Sequence, residues 1–189
     1  MSRLWLLLLI AGPATAAELQ SIEVEHDNGE YSLVSVAWFD AGLEETFAVF
    51  RTWDLSEQFS SAIVEARDLP PDESGRPGFY TRAEGCILFF CRSLVRQGWV
   101  EYVKNKELHA YVDPERSDFE FVDETWTFDE DDGGTRVRYE LHMDPKFWVP
   151  PAIGPYMIKR KLVKAGGAAL NRIERVAQDL AETSDISSD

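Results

Sequence analysis

Two cysteines, three histidines and a scatter of carboxylates are the residues of this 189-residue chain whose types could do chemistry. Cys86 and Cys91 are the only cysteines. On one straight strand they would stand roughly 16 Å apart, at about 3.3 Å per residue, beyond the roughly 4.4–6.8 Å that a disulfide spans between Cα atoms. A bridge forms if Ile87-Leu88-Phe89-Phe90 is a hairpin loop with the cysteines facing each other at its base. The alternative is two buried thiols in one long strand. The spacing is not the Cys-x-x-Cys of a redox pair, and no other cysteine or nearby histidine completes a metal site. His26, His109 and His142 match no ligand or triad spacing. No metal and no cofactor is expected.

Glu120, Glu124 and the run Asp129–Asp132 are the remaining candidates. Glu124 lies in Glu124-Thr125-Trp126-Thr127-Phe128, whose alternation could turn it inward, where burial raises a carboxyl pKa toward acid–base work. The competing reading leaves it at a sheet edge or pairs it with Arg136 or Arg138 on the next strand. Nothing else assembles around it, so it is the one catalytic candidate and a lone one. Four apolar residues at a hairpin tip, Ile87, Leu88, Phe89 and Phe90, need cover. They plug the core, or they gate a ligand or touch a membrane. Lys159, Arg160, Lys161 and Lys164 form a basic cluster just after Trp148 and Tyr156. That combination suits anionic headgroups, and equally an ordinary solvated helix face.

The start of the chain sets the compartment. Arg3 precedes an apolar run, Leu4 to Ala11, which Gly12-Pro13 breaks before Ala14-Thr15-Ala16. This is the pattern of a secretory signal peptide over residues 1–16. The run is too short for a bilayer, which takes roughly 20 residues; an uncleaved anchor is the rival reading. Export would put the cysteines where disulfides persist. The remaining 173 residues suit one domain. They carry 34 acidic and 18 basic residues, a formal charge of −16. So negative a surface repels phosphates and argues against a nucleic-acid partner. The 6 Trp, 6 Tyr and 11 Phe point either to a lined cavity or to a ring-rich core.

The elements that must position these groups are readable from periodicity. Residues 30–40 read as a strand and 43–60 as one or two short helices. Strands follow at 61–68, 79–86, 92–103, 106–112, 117–129 and 135–144. In the last, Val137, Tyr139, Leu141 and Met143 alternate with polar residues and so face a core. Asp131-Asp132-Gly133-Gly134 is a hairpin turn, and Asn105 marks another. Over 156–182 the apolar stripe Ile158, Leu162, Ala165, Ala169, Ile173, Val176, Leu180 predicts a long helix, weakened by Gly166-Gly167. The tail 183–189 is expected to fray. Short connections make the sheet antiparallel and curved, with the helix on its concave side: an α+β fold of about seven strands.

That order resembles the helix-grip superfamily of START lipid-transfer domains, polyketide cyclases and coenzyme-Q-binding proteins, and in particular an exported bacterial subgroup. The residues that carry the likeness are Phe47–Trp53, Pro114–Phe119, Glu124–Phe128, Gly134–Tyr139 and Pro145–Pro151 leading into the helix. The resemblance implies a single domain over 17–182 enclosing a deep apolar cavity for a lipid, isoprenoid or polyketide-like ligand. On this basis the chain is expected to bind or transfer a hydrophobic small molecule in the periplasm. Candidate cavity residues are Trp53, Trp99, Trp126, Tyr139, Leu141, Met157 and Leu162. A cyclase or aromatase is the enzymatic alternative, and a membrane or protein interaction module with a filled core is the third. The fold alone does not choose among them.

Overall fold

The computed structural model describes residues 16–87, 90–149 and 154–186. Most of the expected signal peptide, Leu88 and Phe89 of the hairpin tip, and residues 150–153 of the apolar connector lie outside the described residues. The same holds for the last three residues of the tail.

Eight strands form one antiparallel sheet: β1 Glu18–Asp27, β2 Glu30–Phe39, β3 Ile63–Leu69, β4 Gly78–Ile87, β5 Phe90–Val103, β6 Glu107–Val112, β7 Phe119–Asp131 and β8 Gly134–Pro145. Their spatial order is β1-β2-β8-β7-β6-β5-β4-β3. After β2 the chain crosses beneath the sheet through helix α1 (Leu43–Arg51), a 3-10 turn (Trp53–Leu55) and helix α2 (Ser56–Phe59). It re-enters at the far edge as β3 and zigzags back until β8 lies beside β2.

This is the expected architecture with one strand more. The additional strand is β1, in which Glu18, Glu23, Glu25 and Asp27 leave few apolar positions, and only Val24 is buried. Charge on an edge strand discourages pairing with other chains, and it also masks the strand's period. The Asn28-Gly29 turn was the overlooked signal. Both residues have positive φ, 51° and 99°, the requirement of a tight two-residue hairpin. Asp132-Gly133 turns β7 into β8 in the same way, with φ of 49° and 83°. Asn105 also sits in a turn, at φ 57°.

Curvature is built in at Gly98. A Cβ there would stand 1.8 Å from the Tyr111 carbonyl oxygen, so β5 and β6 approach at that point only because the side chain is missing. Helix α3 (Gly154–Ile186) covers the concave face, packing on α1, α2, β1, β2 and β4. It runs four residues into the segment expected to fray. Of its apolar stripe, Ile158 and Ile173 are buried and Leu162, Ala169, Val176 and Leu180 are half-buried, but Ala165 is exposed. The neighbouring Gly166 faces β1 instead, where a Cβ would meet Ile22 Cδ1 at 3.6 Å.

At the α1 end the interior is dense with rings. Phe128 takes the edges of Phe47 and Phe50 at centroid distances of 5.3 and 5.4 Å, and Phe50 meets Phe39 at 6.0 Å. Val24, Leu33, Val49, Val137 and Ala177 belong to the same core.

The cysteines are bridged. Pairing runs one step past them, to Ile87 opposite Phe90, so the strands reach further than the four-residue loop read from sequence. Cys86 and Cys91 lie directly opposite each other, with Cα atoms 3.9 Å apart, and both are exposed.

Candidate functional site

Strand register fixes which side chains face the hollow of the sheet. From the inward set on β8, pairing carries across to Val122, Glu124, Trp126 and Phe128 on β7. It continues to Leu108 and Ala110 on β6, then to Val100 and Tyr102 on β5. Two residues at a time along β5, Arg96 and Leu94 share that face, opposite Thr81 and Ala83 of β4.

Glu124 therefore projects into the middle of an apolar surface. Its strand neighbour Ala110 is short enough to be spanned, and Arg96, one strand beyond, donates through Nη2 to Glu124 Oε2. Tyr139 Oη donates to the other carboxylate oxygen, Oε1, at 2.5 Å. Rings wall this trio. Trp126 stacks on Tyr139 at 4.9 Å, Trp53 stacks on Phe79 at 4.0 Å, and Trp53 and Trp126 meet edge to face at 6.3 Å. The Arg96 guanidinium lies 5.8 Å over the Phe79 ring.

Electrostatics follow from this enclosure. Burial pushes the Tyr139 hydroxyl up to about 12, with Arg96 opposing the shift, so it is protonated at neutral pH. Burial also pulls Arg96 below its ordinary value. A guanidinium nevertheless holds its proton in proteins, and the Glu124 carboxylate balances it. Two buried donors, Arg96 Nε within the trio and Trp53 Nε1 in its wall, have no hydrogen-bond partner among the described residues.

Exposure at this end is uneven. The Glu124 side chain is 5% exposed, yet that of its partner Arg96, although desolvated, keeps 24%. Trp126, Tyr139 and Met143 on the sheet and Leu162 and Ala169 on α3 are likewise half-buried. The apolar ones among them pack against the buried core. The nearest backbone approaches of α3 are to the rim, β1, β2 and β4, rather than to the central strands. Two open clefts of about 410 and 440 Å³ lie elsewhere, where Asp40, Gly42 and the Glu130–Gly134 turn meet the end of α3. They are shallow and acidic, and none of the trio lines them.

Of the residues expected to line a cavity, Trp53, Trp126, Tyr139, Leu141 and Leu162 belong to the interior. Met157 is half-buried in the first turn of α3. Trp99 is a correction: it stands on the convex face, stacked on Tyr111 at 5.8 Å and covered by the Arg76 guanidinium at 4.4 Å. β5 carries apolar residues in both alternations. The large ring suggested one parity, while buried Val100 and the close approach at Gly98 impose the other. Arg96 is the site residue that sequence reasoning missed, although Leu94-x-Arg96-x-Gly98-x-Val100 holds the signal. Arg136 and Arg138, the partners considered for Glu124, pair instead with Asp131 and Glu140. Lys159, Arg160, Lys161 and Lys164 are all exposed. Among the described residues no cluster of His, Cys, Asp or Glu could hold a metal ion, and no helix is long and apolar enough to cross a membrane.

A profile of the family described as polyketide cyclase/dehydrase and lipid transport matches residues 32–178. No curated protein sequence matches the chain. Solved structures share the fold at low identity. A START superfamily protein from Mycobacterium smegmatis is 17% identical, with a TM-score of 0.60 over 77% of this chain and 98% of that one. The STAR-related lipid transfer protein from Xanthomonas axonopodis is 13% identical, with a TM-score of 0.61 over 83% of this chain and 98% of its own. The Zhui aromatase/cyclase of Streptomyces sp. R1128 is 9% identical, with a TM-score of 0.59 over 79% and 94%.

Proposed function

Because the chain belongs to the polyketide cyclase/dehydrase and lipid transport family, we propose that it binds a hydrophobic small molecule, of lipid or isoprenoid type, between α3 and the inner face of β5–β8. The observation that carries this reading is an enclosed polar trio in a ring-lined apolar face, two of whose members, Arg96 and Tyr139, keep accessible surface. A guest's apolar body gains about 25 cal/mol for each Å² it removes from water, before ordering costs. Its polar end would be oriented by Arg96 and Tyr139, as a few placed polar groups orient ligands in apolar sites generally.

Binding fits this geometry better than turnover does. Both Glu124 oxygens already accept hydrogen bonds, from Arg96 and from Tyr139, so a substrate proton would have to compete with those donors for the carboxylate. Tyr139 is protonated, a donor rather than a base. The cyclase alternative would have to use Glu124 as its base, a carboxylate already engaged by two donors. We place the protein in the periplasm, reached by the signal peptide of residues 1–16; the exposed Cys86–Cys91 bridge is consistent with an oxidising compartment.

Native mass spectrometry of the purified chain tests the reading, with a fluorescent long-chain fatty acid as probe. A co-purifying apolar mass, or probe binding that Trp126→Ala and Leu162→Asp weaken at least tenfold, is the expected result. A protein that is empty and indifferent to apolar probes of any length overturns it.

A further inference from the structure

The charge of this protein is unevenly laid out. Residues 146–173 contain Lys146, Lys159, Arg160, Lys161, Lys164 and Arg172, while all 34 acidic residues lie outside that stretch. Elsewhere the cations are largely neutralised by the chain's own carboxylates: Arg67, Arg76, Arg82, Arg96, Lys104, Arg136 and Arg138 all sit in ion pairs. Lys159, Arg160, Lys161 and Lys164 form no ion pair among the described residues.

Helix geometry gathers these charges. At about 100° per residue, Tyr156, Lys159, Arg160, Val163 and Lys164 fall on one side of α3, opposite Ile158 and Leu162, with Lys161 at its margin. That side is bare. Tyr156 is 66% exposed, Val163 is an exposed β-branched residue, and a Cβ at Gly167, one turn on, would touch nothing within 4 Å. Trp148, 65% exposed, precedes the helix at the same end. There Arg92, also exposed, lies 5.7 Å from the Phe147 ring.

An exposed tyrosine ring and an exposed aliphatic side chain amid cations that form no ion pair among the described residues are poorly explained by solubility alone. Tyrosine and tryptophan favour the headgroup level of a bilayer, and a basic face with apolar residues among its charges binds anionic lipid surfaces in the interfacial plane. We propose that this face of α3, with Trp148, docks the protein on an anionic lipid bilayer. The surplus negative charge of the remainder, repelled by the same surface, would turn this face toward it. The proposal goes beyond the ligand-binding reading and stands without it.

Vesicle flotation tests it, using the full chain with phosphatidylcholine vesicles that contain or lack a minority of phosphatidylglycerol. The apolar run at residues 4–11 contributes alike to both vesicle types, so the readout is the ratio of partition coefficients. The expected result is a higher partition on the anionic vesicles that falls as salt rises. Lys159→Gln, Arg160→Gln, Lys161→Gln and Lys164→Gln should each lower it, about fivefold per charge removed. Tyr156→Ser with Val163→Ser should weaken binding at unchanged charge. All six positions are outside the buried core, so an unchanged thermal melt verifies that the variants fold. Equal partition on the two vesicle types, a fourfold variant that still binds like wild type, or preference for duplex DNA over anionic vesicles at the same salt overturns the proposal.

Discussion

Glu124 accepts from Arg96 on one oxygen and from Tyr139 on the other, so each member of the trio is costly to remove alone. Arg96→Met should strip the cation from a buried carboxylate and destabilise the fold by about 3–5 kcal/mol, whereas Arg96→Met combined with Glu124→Leu should recover most of that loss. Guanidinium unfolding of both variants measures the difference. Tyr139 gives a pH signature. Its folded value of about 12 exceeds the ordinary 10.0, so the unfolded chain ionises first as pH rises. Its contribution is intact below pH 10 and drains away between 10 and 12, about 3 kcal/mol in all at about 1.4 kcal/mol per pH unit. Stability curves of wild type and Tyr139→Phe over that window should converge as pH rises. Tyr139 was legible in the sequence because a strict alternation on β8 sets its side, while the parity of β7 left Glu124 open between an inward position and a sheet edge. Arg96 was not, because both faces of β5 look apolar and its partner lies one strand further than hairpin neighbours reach.

At the scale of elements, the clearest signals were long periods and turn chemistry. α3 and the β7–β8 hairpin follow directly from apolar spacing and Asp132-Gly133. β1 escaped because an edge strand with four acids shows little period, although Asn28-Gly29 announced its turn. The β4–β5 hairpin invites a direct test. Its bridge joins residues only five apart, so closing that loop constrains the unfolded chain by about 2 kcal/mol. Reduction should lower the melting temperature by roughly 4–8 °C in calorimetry. The glycines of α3 and of β5 should respond oppositely. Gly167→Ala meets nothing and should stabilise by about 0.5–1 kcal/mol, while Gly98→Ala drives a methyl into the Tyr111 carbonyl and should prevent a normal fold. Chemical denaturation distinguishes the two.

Across the whole molecule, burial of the sheet's inner face is uneven. Packed rings fill the interior beneath α1, while Trp126 and Tyr139 beside Glu124 and Leu162 on α3 are only half-buried. Sequence patterning gave the layers but not this asymmetry, since half-burial depends on how far apart two apolar surfaces settle. The fastening of α3 is just as uneven. Glu174 Oε2 accepts the Asp40 N–H at 2.8 Å, Gln178 Nε2 donates to the Asp40 carbonyl oxygen at 2.7 Å, and Ala177 between them is fully buried. The first turns are held chiefly by Ile158 and Leu162, and Gly166-Gly167 separates them from that anchorage. The helix is thus a cantilever, with its fulcrum at Asp40 and its compliance at the glycine pair. Amide deuteration should climb steeply from the 172–180 segment toward 156–164. Thermal flexing of the loose span would then bare the half-buried Leu162 without disturbing the root.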